Sequence, residues 1–83
     1  MDKDIIKVSL EDGTTKDMEL VLLYKDEESS TNYVLYKEID KKDECYAAKY
    51  VINNSTYELD SYLTKNEIIK LQALLNSVLK ENN

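Results

Sequence analysis

Ile5-Ile6-Lys7-Val8-Ser9-Leu10-Glu11-Asp12-Gly13 opens the chain with alternation followed by a turn dipeptide. Ile6, Val8 and Leu10 fall on one face of an extended segment, and Lys7 and Ser9 fall on the other. That period of two describes a half-buried strand over 5–10. Asp12-Gly13 is a strong hairpin signal, because a type I′ turn needs positive φ at both central residues. The first two elements are therefore expected to be antiparallel neighbours.

The same pattern continues outward. A second strand is expected over 16–25, with Met18, Leu20, Leu22 and Tyr24 as its inner face. Val21 and Leu23 make its other face apolar too, which predicts a central strand covered on both sides or a face used for association. Polar residues 26–30 read as a loop. Residues 31–39, rich in β-formers, predict a third strand, and residues 44–52 a fourth after the turn at 40–43. Asn53-Asn54-Ser55 reads as turn chemistry, and Thr56 to Leu59 leave room for a short fifth strand over 56–59.

The period then changes. Thr64 and Glu67 have capping-box spacing, which starts a helix over about 65–80. Ile68, Leu71, Leu75, Val78 and Leu79 recur along it at helical intervals, with Ile69 and Leu74 at the margins. Lys80 lies near its negative dipole end. A stripe of this kind must be buried, most simply across a sheet. The expected fold is α+β: an antiparallel meander of four to five strands followed by one amphipathic helix packed on it. One domain spans 1–83.

Composition narrows the chemistry. The 83 residues include no His, no Arg, no Trp and no Phe, one Gly and one Cys. Without imidazole, a Ser or Cys nucleophile lacks its usual base, and zinc lacks its commonest nitrogen ligand. A single glycine cannot build a P-loop or a dinucleotide fingerprint. Asp40 to Glu44 is acidic but lacks the glycine and alternating oxygens of a calcium loop. The reading is a non-enzymatic chain with no catalytic, metal or cofactor site. Cys45 excludes an internal disulfide, and Asp43 and Glu44 beside it are expected to keep its thiol unreactive.

Residues 1–45 carry thirteen acidic side chains and seven lysines, and residues 46–83 four of each, so the whole net charge of −6 lies in the first half. Such a surface repels phosphate, which argues against direct nucleic-acid or membrane binding. No apolar run approaches the length of a spanning helix, and the N-terminus lacks signal-peptide order, so a cytoplasmic location is expected. The acidic groups Glu11-Asp12, Asp26-Glu27-Glu28 and Asp40…Asp43-Glu44 all fall in loops, and in a meander the first and third share an end. Asp26, Glu27, Glu28, Asp40, Asp43 and Glu44, with Tyr33 and Tyr36 on the sheet, are the candidate contacts for a partner. That partner is expected to be a protein, one with a basic, nucleic-acid-handling surface among the choices. The alternatives are self-association through an apolar face, giving a homo-oligomer, and an acidic inhibitor that mimics nucleic acid.

The block Asn32-Tyr33-Val34-Leu35-Tyr36, with an acidic turn and a strand after it, resembles the YrzB-like group of small acidic bacterial proteins of unknown function. That group runs from an Asp-Gly hairpin to a Tyr-Val-Leu strand, an acidic turn, another strand, a Glu-Leu step and an amphipathic helix. The corresponding pieces here are Asp12-Gly13, Tyr33-Val34-Leu35, Asp40 to Glu44, Glu58-Leu59 and the helix from Thr64. The helix departs from the group's acidic pattern, with Lys65, Lys70 and Lys80 against Glu67 and Glu81. The resemblance implies a cytosolic protein of Gram-positive or mycoplasma-like bacteria, and a gene often beside one for an RNase H-like nuclease. It implies no activity and no functional residues.

Overall fold

A computed structural model describes the backbone of residues 4–41 and 44–81 and the side chains up to residue 77. The strands are β1 (Ile5–Ser9), β2 (Thr15–Asp26), β3 (Thr31–Lys37), β4 (Tyr46–Asn53) and β5 (Thr56–Asp60), and α1 spans Lys65–Glu81. Successive strands pair antiparallel, so the expected α+β meander with a C-terminal helix is what the chain forms. The fifth strand is present.

The sheet also curls shut. In an alternating meander of five, the first and last strands run the same way, so the closing pair has to be parallel. It is, with Val8 opposite Tyr57. Closure creates an interior. Ile6, Val8, Met18, Val34, Tyr36 and Ala48 fill it, with Leu20, Tyr50, Tyr57 and Leu59 packed around them. Val34 and Ala48 face each other across β3 and β4, and both are fully buried. A large side chain against a small one suits a narrow barrel. Tyr rings do the filling elsewhere: Tyr50 and Tyr57, diagonal across β4 and β5, have centroids 5.0 Å apart.

Several details differ from expectation. The pairing of β2 slips between Leu20 and Leu22, leaving Val21 as the extra residue of a β-bulge. A bulge reverses the alternation beyond it. Met18 and Leu20 face the interior beside Ile6 and Tyr36, as expected. Leu22 and Tyr24 instead share the outer face with Leu35 and Tyr33, and Leu23 opposes Val34 at the hairpin end. The strand buried on both faces is therefore β3, not β2. Tyr33, Val34, Leu35 and Tyr36 are all buried, two against the interior and two under α1. β1 stops at Ser9, which leaves Leu10 41% exposed rather than in the core.

The turns also exchange types. Gly13 has φ 88, whereas Asp12 is not in the left-handed region. The Gly13 amide donates to Leu10 carbonyl oxygen at 3.0 Å, closing an ordinary turn before the left-handed glycine. The type I′ geometry occurs instead at Asn54 and Ser55, with φ 53 and 66, between the closing pair Asn53 and Thr56.

The capping box forms as read. The Thr64 amide donates to Glu67 Oε1 at 2.9 Å, and the Glu67 amide to Thr64 Oγ1 at 3.2 Å. The stripe is less buried than expected. Leu71 is 2% exposed, whereas Ile68 is 50% and Ile69 58% exposed. The side chains of Val78, Leu79 and Lys80 lie outside the described residues.

Candidate functional site

Asp26 closes the β2–β3 hairpin opposite Thr31, and Glu27 to Ser30 form its loop, with Ser30 left-handed at φ 57. A short polar residue before such a loop can cap its own turn. Asp26 Oδ1 accepts the Glu28 amide at 3.1 Å, and Oδ2 accepts Lys70 Nζ from α1 at 2.9 Å. The lysine bond, with help from the amide, holds the Asp26 carboxyl below its ordinary range and pushes Lys70 above its own. Asp26 is buried and tied to the helix, the least accessible of the three acidic residues here. Glu27 and Glu28 are exposed at the tip. Together with Tyr24, Lys25 and Asp26 they line an open depression of 450 Å³.

The β1–β2 and β3–β4 loops meet at the other end, as a meander requires. Lys16 Nζ donates to Glu38 Oε1 at 2.6 Å, with Lys41 3.9 Å from the same carboxylate, so Glu38 sits below the usual range. Asp12 is held down by the Thr14 hydroxyl at 2.6 Å and the Thr14 amide at 3.0 Å. Glu44 accepts the Tyr46 hydroxyl at 2.7 Å, which raises the phenol's pKa. Asp40 is exposed and left-handed at φ 67. Asp43 lies outside the described residues. This end has its own lysines, Lys16 and Lys41, and Glu27 and Glu28 stand together at the opposite tip near Lys25 and Lys70.

The two candidate tyrosines are not on the surface. Tyr36 is 9% exposed inside the barrel, where burial raises its pKa. Tyr33 is 3% exposed on the outer face beneath α1, stacked on Tyr24 with centroids 6.2 Å apart. Its hydroxyl donates to Glu67 Oε2 at 2.5 Å. Glu67 also accepts the Thr64 amide and lies 3.6 Å from Lys49 Nζ, and its carboxyl is lowered to about 2, the cap being the main cause and Tyr33 the next. Residue composition points to Tyr33 as a surface aromatic, but it works as a strut. Cys45 is exposed just before β4, its thiol raised by partial burial with Lys37 acting the other way.

Sequence reasoning missed two features. Glu67 is legible as a cap, but its reach to Tyr33 and Lys49 joins residues far apart in the chain. Val51 and Ile52 are 59% and 58% exposed on β4, although their residue types suggest core. Lys49, Val51, Glu58 and Asp60 line an open groove of 480 Å³ beside the start of β3.

Among the described residues no group of acidic or thiol side chains is arranged to hold a metal ion, and no helix is long and apolar enough to cross a membrane. No family model, curated protein or solved structure matches the chain.

Proposed function

We propose that this chain is a non-enzymatic cytoplasmic module that docks a basic protein surface through the acidic tip of the β2–β3 hairpin. The observation that supports it is the tip itself. Glu27 and Glu28 are exposed side by side, while Asp26 below them is tied to Lys70 and to the Glu28 amide, so the turn is held in one shape. A preordered pair of carboxylates lowers the ordering cost of docking a lysine- or arginine-rich partner. A protein that itself handles nucleic acid has such a surface.

The test is capture from native lysate at low and high salt with two baits, the natural chain and Glu27→Lys/Glu28→Lys. A basic partner held at low salt by the natural chain alone supports the reading. A partner captured equally by both baits, or unaffected by salt, refutes it.

Self-association is the second reading: of its expected cue Val21 is half-buried but Leu23 is 42% exposed, and Val51, 59% exposed on β4, adds to it. Sedimentation of Val51→Lys against the natural chain separates the two. A salt-insensitive dimer lost in the variant supports self-association.

A further inference from the structure

The relation between α1 and the barrel is lopsided. The outer face of β3 is fully covered, with Tyr33 at 3% and Leu35 at 4% exposure. Among the described side chains of α1, Leu71 alone is fully buried; Leu74 and Leu75 are half-buried, and Ile68 and Ile69 are turned largely to water. The remaining ties are polar: Tyr33 to Glu67 at 2.5 Å, Lys49 to Glu67 at 3.6 Å and Lys70 to Asp26 at 2.9 Å. The Lys70 side chain is 50% exposed, so water and salt compete for its bond.

The barrel does not need the helix for its interior. Every residue of the buried cluster inside it comes from β1 to β4, and the side chains packed around that cluster come from β2, β4 and β5. The strands are hydrogen-bonded all the way round. Elements with few buried apolar contacts belong to the low-stability end of a fold and open before the rest.

We infer that α1 is a latch that opens as a unit from a barrel that stays folded, uncovering an apolar face made of Leu22, Tyr24, Tyr33 and Leu35. Those four share the outer face of β2 and β3 because of the bulge at Val21. The latched state hides the aromatic surface that the sequence advertises, and the open state presents it. This inference does not depend on docking at the acidic tip, and either can fail alone.

Amide hydrogen exchange on the full chain, read residue by residue by NMR with increasing urea, tests it. The amides of Leu71 to Leu75 are expected to exchange through an opening at least about tenfold more populated than that of Val34 to Tyr36, with a smaller urea dependence. Leu71→Ala removes a contact that both openings break, so it is expected to speed the α1 and β3 amides by a common factor of about tenfold or more. Gly13→Ala, which strains the β1–β2 turn and leaves the α1 contacts alone, is expected to speed the β3 amides by about fivefold and the α1 amides by less than about twofold, and it is mild enough to keep the chain folded. One shared opening with a common urea slope for α1 and β3 overturns the inference. So does acceleration of the α1 amides by Gly13→Ala to the same extent as the β3 amides.

Discussion

Val34→Ala isolates what the barrel interior contributes. Val34 is 0% exposed on a strand held between two neighbours, with Ala48, also 0% exposed, directly opposite. The substitution removes two methyl groups, worth about 1.6 kcal/mol at about 0.8 kcal/mol per buried carbon. The wall cannot collapse to fill the space, because β3 is pinned on both edges and covered by α1. A cavity contribution therefore adds to the transfer loss, giving about 2–3 kcal/mol. For a domain of this length that is a fall in Tm of about 8–20 °C. Val51→Ala, one strand away and 59% exposed, is the control, with an expected change within about 0.5 kcal/mol. Urea unfolding followed by circular dichroism measures both, and the slope m should match the natural chain. Equal losses in the two variants would refute the assignment of the interior to the Val34 side of the sheet.

Other perturbations probe the turns, the cap and the charge. Thr64→Ala should cost about 1 kcal/mol in urea unfolding, since it frees the Glu67 amide that the hydroxyl now accepts from. Gly13→Ala should cost about 1 kcal/mol through backbone strain at φ 88 alone, because nothing lies within 4 Å of the added carbon; a much larger loss in thermal unfolding would contradict that open space. Glu67 has a folded pKa of about 2 against an ordinary 4.5, so its stabilisation is complete above the ordinary value and is lost as pH falls towards about 2. Acid unfolding of Glu67→Gln should therefore show a flatter limb between those values, and an unchanged limb would assign the acid sensitivity elsewhere.

The legible parts of the fold were those where neighbours in sequence carry the reason. Ile6 and Val8 alternate, Thr64 and Glu67 cap, and Asn54-Ser55 turns, each through contacts within a few residues. The candidate site was legible only as charge. Glu27 and Glu28 are exposed where the loop was expected, whereas Asp26 looked the same in sequence and is claimed by Lys70 from another element. Tyr33 and Tyr36 are the same residue type on one strand, yet one lies under a helix and the other inside a barrel.

By itself, then, the sequence determined the strand and helix order, the meander, the helix start and the absence of imidazole chemistry, because these follow from residue type and local period. Tertiary structure alone decided the rest: closure by the parallel Val8–Tyr57 pair, the face reversal at Val21, and the burial of β3 on both sides. The physical reason is that a bulge or a closing pair depends on how distant strands meet. A register shift of one residue changes which side chains are buried without changing a letter of the pattern that predicted the strand.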